Sequence, residues 1–152
     1  MVTVLTVTLV IMGMASVSPV HSAVLGSIQL RPPFSGSFPI VSWFDHLYPN
    51  YSKIGGIRIF DGELNGDCDT TLNWNYCYDG HSGIDFALPI LTPLLAAADG
   101  IVEVSQDVDP ILPKDYGTYI VIRHSNGIRT LYGHLTSRAV SVGNTVHQGD
   151  QV

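Results

Sequence analysis

The chain has 152 residues, of which 45% are hydrophobic and 13% are charged. This composition is typical of a single folded domain with a hydrophobic core, and it excludes a largely disordered chain. The formal net charge is -6 and the seven lysine and arginine residues are not clustered, which argues against a nucleic-acid-binding surface or a patch for anionic lipids.

The amino-terminal segment predicts export. Residues 1–17 are almost wholly apolar or small and carry no charged side chain. Val20 and Ser22 occupy the small-residue positions that a signal peptidase favours, so we expect residues 1–22 to be a signal peptide that is cleaved before Ala23. The segment lacks a basic start, and the alternative is an uncleaved membrane anchor, which needs about 20 apolar residues. Both interpretations place the remaining protein outside the cytoplasm, secreted or in the cell envelope.

Residues 23–60 are predicted to be a linker that passes into irregular structure. Up to about residue 51 they are rich in proline, glycine and serine and show no sustained helical period. Several aromatic side chains occur there: Trp43, Phe44, His46 and Tyr48. They could line a substrate groove, but aromatic residues in a loop more often cover the edge of a core, and we favour the second interpretation.

The acidic segment 61–69 resembles the start of a calcium-binding loop. The comparison fails at the twelfth position, where Leu72 stands in place of the bidentate glutamate, and neither flank has a helical pattern. We therefore expect a solvated acidic loop. Cys68 and Cys77, the two cysteines of the chain, could close it with a disulfide if the protein is exported.

The next segment contains a candidate metal site. His81 and Asp85 are four positions apart, a spacing that places two side chains on one face of either a helix or a strand. Gly83 and Pro89 bracket the run 84–88, which is too short for a helix, so we predict His81 on a loop and Asp85 on a strand. Imidazole nitrogen and carboxylate oxygen suit zinc, but two ligands are half a site, and a loop histidine beside a turn-capping carboxylate is the alternative.

The remaining chain predicts short strands. Residues 94–98 are too few for a helix between Pro93 and Gly100, so a strand is favoured, and 101–105 alternate as a half-buried strand does. Residues 107–115 contain two prolines and predict a loop.

A hairpin is predicted between residues 118–124 and 128–134, which are separated by a Ser-Asn-Gly turn. The period of two places His134 at the end of its second strand, where a catalytic group could stand, although a core or surface histidine is the alternative. The tail 140–152 repeats valine and glycine turns that are typical of short strands. No convincing helix occurs, so the predicted fold class is all-β and mainly antiparallel, a compact sandwich or barrel of short strands and long loops.

From about Tyr78 to its end, the chain resembles the lysostaphin-type zinc endopeptidases, which cut peptide bonds in bacterial peptidoglycan. The motifs that carry the resemblance are Gly-His-Ser-Gly-Ile-Asp, Ala-Ala-Ala-Asp-Gly, Val-Ile-Arg-His-Ser-Asn-Gly, Thr-Leu-Tyr-Gly-His-Leu and Val-x-x-Gly-x-x-Val-x-x-Gly. Their combination in this order is more specific than any one of them. The resemblance implies a partial peptidase domain over residues 61–152, with His81 and Asp85 as Zn²⁺ ligands and His134 as the catalytic histidine. His124 is not a ligand in the family and is expected to be structural.

The chain departs from the family pattern in one respect. The family takes its third zinc ligand from a His-x-His motif, and the sequence contains none, since His147 stands alone. We expect a fragment that is truncated at its carboxyl end, and the alternative is a relative that has lost catalysis.

The expected function is zinc-dependent hydrolysis of peptidoglycan peptides. The expected partners are the peptidoglycan peptide, no nucleic acid, and a membrane only if the amino-terminal segment is uncleaved. The alternative function is an inactive wall-binding or regulatory module on the same scaffold. A lipoyl-type carrier is disfavoured because neither Lys53 nor Lys114 lies at a hairpin tip between such strands.

Overall fold

A computed structural model describes residues 5–8, 27–47, 50, 53, 56–59, 64, 77–107 and 116–152. These residues form short strands connected by turns and loops. The strands are β1 (Leu5–Thr8), β2 (Ile40–Ser42), β3 (Arg58–Ile59), β4 (Cys77–Tyr78), β5 (Ile84–Phe86), β6 (Gly100–Gln106), β7 (Tyr119–Arg123), β8 (Arg129–Tyr132) and β9 (Thr145–Val146). Within these residues no helix has the length and apolar character to cross a membrane.

The strands form two sheets. A seven-stranded sheet has the order β2-β5-β1-β8-β7-β6-β9, and a two-stranded sheet pairs β3 with β4. Every pairing is antiparallel. The predicted all-β, mainly antiparallel fold class is confirmed.

The hairpin predicted from the Asn-Gly signal is β7 and β8. Ile120 pairs with Tyr132 and Arg123 pairs with Arg129. The turn between them is closed by two hydrogen bonds, from the Gly127 N–H to the His124 carbonyl and from the His124 N–H to the Ile128 carbonyl. Gly127 has a φ of 82°, a left-handed conformation that glycine adopts without steric cost.

Strand β1 belongs to the segment predicted as a signal peptide. It lies between β5 and β8, with Thr6 opposite Asp85 and Val7 opposite both Ile84 and Tyr132. The β-branched residues of β1 suit a strand. Cleavage before Ala23 stays a prediction.

Two expectations about local structure are wrong. Residues 94–98 form no strand, because only Leu95 pairs, in an isolated bridge to Gln151, while the alanines that follow are buried in the core. The region 23–60 is more than a linker, since its β2 is an edge strand of the large sheet and pairs with β5.

Other expectations fall largely outside the described residues. Leu64 is the one described position of the acidic segment 61–69. Cys77 is disulfide-bonded, whereas Cys68 lies outside the described residues. Of the predicted loop 107–115, only its first residue is described.

One face of the large sheet carries the hydrophobic core. Its members are Phe34, Leu88, Leu94, Ala96, Ala97, Val102, Ile120, Ile122, Tyr132, Val146 and Val152. Tyr132 is fully buried, and its hydroxyl accepts hydrogen bonds from the Ala97 N–H at 2.8 Å and the Thr130 hydroxyl at 3.0 Å. Burial raises the pKa of Tyr132 above its ordinary value, although both donors lower it. The hydroxyl therefore stays neutral and connects β8 to the segment before β6.

We predict that Tyr132→Phe lowers the free energy of unfolding by about 1–3 kcal/mol, because it leaves the buried Ala97 N–H without an acceptor and removes one partner of the Thr130 hydroxyl. The control is Tyr119→Phe on the adjacent strand, where the lost hydroxyl accepts from Gln106 at a half-buried position, and a loss of about 1 kcal/mol or less is expected. Urea unfolding measures both changes. Equal losses in the two variants would contradict the role assigned to Tyr132.

Candidate metal centre

The candidate metal ligands lie where a loop enters strand β5. His81 is on the loop that follows β4, and Asp85 is the middle residue of β5, as the sequence predicted. The neighbouring Phe86 packs against the core, so Asp85 faces the opposite side of the sheet because successive side chains alternate in a strand. Gly80 has a φ of 86°, and this left-handed turn directs the loop towards β5.

The two side chains approach each other without forming a good hydrogen bond. Nε2 of His81 and Oδ1 of Asp85 are 3.4 Å apart, and both side chains are about four-fifths buried, with 22% and 18% exposed. Oδ1 of Asp85 is buried and accepts no hydrogen bond. A buried carboxylate oxygen without a partner costs free energy. A positively charged or hydrogen-bonding group next to Oδ1 of Asp85 would therefore stabilise the folded protein.

The separation fits two ligands of one zinc ion. Zinc binds histidine nitrogen and carboxylate oxygen at about 2.0–2.2 Å in a tetrahedral arrangement, which places neighbouring ligand atoms about 3.3–3.5 Å apart. The observed 3.4 Å between Nε2 and Oδ1 lies within this interval. Among the residues that the structure describes, no third histidine, cysteine, aspartate or glutamate joins the pair.

The orientation of the His81 ring is fixed by a backbone carbonyl. Nδ1 of His81 lies 2.9 Å from the carbonyl oxygen of Trp43. A carbonyl oxygen can only accept, so Nδ1 carries a proton, and in the neutral ring the lone pair of Nε2 lies on the side of Asp85. Metal-binding histidines typically donate their other ring N–H in this way.

The charges around His81 favour a cation. Burial of the ring lowers the pKa of His81, but the close approach of the Asp85 carboxylate, the Trp43 carbonyl and the negative charges of Asp85 and Asp45 raise it, and the net pKa lies above the ordinary value. The same carboxylates that favour the protonated ring would favour a metal ion in its place. Protons and a metal therefore compete for the site.

Among the described residues, His134 does not join this pair in a metal-binding group. Strand β8 ends at Tyr132, so the prediction that His134 ends the strand is wrong. His134 instead has a φ of 55°, and its N–H donates to the Tyr116 carbonyl at 2.6 Å. The left-handed backbone ends the alternation of the strand and leaves the ring exposed. It lines an open cavity of about 210 Å³ beside the segments 88–94 and 135–139.

The remaining histidines have other surroundings. His124 is fully buried, and its two ring nitrogens lie 2.8 Å from the Asp99 carbonyl and 3.0 Å from the Thr130 hydroxyl. His46 lies 2.9 Å from the Ser82 hydroxyl through Nε2. His147 is exposed.

Sequence reasoning missed the residues that surround His81 from the other side. The Trp43 carbonyl, the Ser42 hydroxyl and Asp45 all come from β2 and the loop after it. These residues are far from His81 in the sequence, so no local sequence pattern indicated that they contact it. Asp45 was the one available indication, since it is a carboxylate within an aromatic stretch.

Comparison with known proteins assigns a class to this region. Residues 79–152 match the family model described as "Peptidase family M23", and these residues include all three predicted site positions. The match confirms the resemblance predicted from the sequence. No solved structure gave a significant match.

Individual relatives agree with this class. The chain is 42% identical over 72 residues to "Peptidoglycan DD-endopeptidase ShyC" of Vibrio cholerae, covering 47% of this chain and 16% of the relative. It is 41% identical over 64 residues to "DD-carboxypeptidase/endopeptidase Mpg" of Neisseria meningitidis, covering 42% and 14%. An "Uncharacterized metalloprotease" of Haemophilus influenzae is 36% identical over 73 residues, covering 47% and 14%. The chain thus spans a small part of the length of these relatives, and the last name describes that relative as a metalloprotease.

We predict that His81→Ala and Asp85→Ala each weaken zinc binding by more than about 100-fold, because loss of a ligand should exceed the 10–100-fold cost of losing an outer partner. Competition titration against a zinc-binding dye measures the zinc affinity of the protein as it is expressed from its own gene. His147→Ala, an exposed histidine away from the site, is the matched control and should bind zinc as the parent does. Unchanged affinity in either ligand variant would exclude the site.

Proposed function

We propose that the protein is a zinc-dependent endopeptidase that hydrolyses peptide bonds of bacterial peptidoglycan outside the cytoplasm. The match to Peptidase family M23 and the names of the relatives support a peptidase and this substrate. The observation that carries the proposal is the buried His81 and Asp85 pair, whose facing atoms are 3.4 Å apart.

In this proposal, Nε2 of His81 and the carboxylate of Asp85 hold the zinc ion. When bound, zinc polarises a peptide carbonyl and lowers the pKa of a bound water towards about 7. The chain itself keeps the Nε2 lone pair available through the hydrogen bond from Nδ1 to the Trp43 carbonyl. Oδ1 of Asp85 accepts no hydrogen bond, so its lone pairs are available to a metal ion.

The role proposed for His134 is to stabilise the negative charge that develops on the substrate oxygen or to transfer a proton. Its ring is exposed at the cavity, where an extended peptide can reach it. Exposed apolar side chains, Ile90 at 56% and Leu91 at 75%, stand on the same cavity wall and can contact the side chains of such a peptide. A group that acts on charge formed in the transition state contributes about 10²–10⁴ to the rate.

Hydrolysis of purified peptidoglycan tests the proposal. We expect the natively expressed protein to release soluble fragments with new amino groups, to stop after removal of zinc by a chelator, and to resume when zinc is restored. The alternative function, a wall-binding module without catalysis, is favoured by the two-ligand site among the described residues. It predicts sedimentation with peptidoglycan and no release of fragments at any zinc concentration.

We predict that His134→Asn lowers kcat by about 100-fold or more and leaves zinc affinity unchanged, because asparagine tolerates the left-handed backbone at this position but supplies no imidazole. Fragment release and zinc content are measured on the same preparation. Activity close to that of the parent would remove His134 from the mechanism, and a parallel loss of zinc would make it a ligand instead.

A further inference from the structure

The segment Ile40 to His46 forms one wall of the candidate metal site, although it precedes the family match, which begins at residue 79. Strand β2 pairs with β5, with Ser42 opposite Asp85 and an irregularity in the register between Ile40 and Ser42. The chain beyond β2 then passes along the loop that carries His81, and His46 Nε2 lies 2.9 Å from the hydroxyl of Ser82 there.

Asp45 holds the backbone on both sides of His81. Its N–H donates to the His81 carbonyl at 2.7 Å. Its Oδ2 accepts a hydrogen bond from the Gly80 N–H at 3.2 Å. The contacted groups are the Gly80 N–H and the His81 carbonyl, so the two contacts bracket these two residues and restrict the backbone from which the imidazole projects.

The cost of placing Asp45 there indicates that its role is specific. The residue is 3% exposed, and Nε of Arg58 lies 3.7 Å from its Oδ1. A buried carboxylate with an ion pair at that distance is expensive unless hydrogen bonds compensate it. An uncharged residue could close a loop at lower cost. The carboxylate also adds negative charge beside a site that should attract a cation.

The neighbouring carbonyl completes the arrangement. Trp43 O accepts from Nδ1 of His81 at 2.9 Å, and its position depends on the same short segment that Asp45 attaches to the loop. The Trp43 carbonyl therefore holds the ring of His81, and Asp45, two positions further along the chain, holds its backbone. Displacing the segment would release both.

We propose that Asp45 is a positioning residue of the metal site, which fixes the His81 loop so that Nε2 faces Asp85 while Nδ1 donates to Trp43. The proposal rests on the proposed function for its effect on zinc. It assigns no contact with substrate to Asp45, which acts through His81 alone.

The test compares Asp45→Ala with Asp45→Asn in the natively expressed protein. The alanine variant loses the acceptor for the Gly80 N–H, and we expect zinc affinity to fall by about 10–100-fold, the usual cost of losing an outer partner. The asparagine variant keeps an oxygen acceptor and should recover much of the affinity. Competition titration with zinc measures both variants.

A second measurement does not depend on zinc. In the metal-free protein at alkaline pH, ¹⁵N spectra of the imidazoles report which ring nitrogen of His81 carries the proton. We expect the Nδ1-protonated tautomer in the parent and in Asp45→Asn, and a mixture of tautomers in Asp45→Ala. If the parent binds no zinc, the proposed function fails, and this measurement still decides the positioning role.

Thr130→Ala is the control for a general loss of stability. Thr130 is buried and hydrogen-bonded within the core, away from His81, so its removal should destabilise the protein without changing zinc affinity or the His81 tautomer. The proposal is overturned if Asp45→Ala binds zinc within twofold of the parent, if its His81 tautomer is unchanged, or if Thr130→Ala produces the same losses.

Discussion

The register of strand β5 is the constraint on which the candidate site depends. Phe86 packs against Phe34 with ring centroids 4.8 Å apart and joins the core, so the preceding Asp85 must face the other side of the sheet. A slip of one residue would bury the carboxylate in the core and expose the phenylalanine. Pairing with β2 opposes such a slip, because Asp85 lies opposite Ser42.

The site is assembled from parts of the chain that are far apart in sequence. Asp85 is placed by the sheet, whereas His81 is placed by hydrogen bonds from residues 43–45. The sheet therefore fixes one candidate ligand, and the position of the other candidate ligand depends on a loop that a distant segment holds. Burial lowers the pKa of the His81 imidazole, but the carboxylates of Asp85 and Asp45 raise it, and the net pKa lies above the ordinary value.

Much of this arrangement follows from local sequence patterns. The Asn-Gly turn predicted the β7–β8 hairpin, and Gly83 and Pro89 predicted a loop histidine beside a strand carboxylate, because turn chemistry and strand length act over a few residues. The all-β class followed from the lack of any long helical period.

The rest depends on interactions that local patterns do not contain. Strand β2 has no distinctive composition and forms through pairing with β5, some 40 residues away, so a linker was expected there. The residues 94–98 form no regular strand and are held by core packing, one bridge and backbone hydrogen bonds to Pro33 and to residues 149–152. The side chain of His134 does not follow the alternation of side chains along β8, because its backbone is left-handed. A prediction from a period of two assumes an extended backbone and cannot detect this change. The contacts of Asp45 belong to the same long-range class.

The central claim is that His81 and Asp85 bind one metal ion between them. Anomalous X-ray diffraction at the zinc absorption edge, on crystals of the natively expressed protein grown with zinc, tests it directly. The account predicts an anomalous peak within bonding distance of both Nε2 of His81 and a carboxylate oxygen of Asp85. A structure in which these two atoms instead form a direct hydrogen bond, with no anomalous peak between them at saturating zinc, would contradict it.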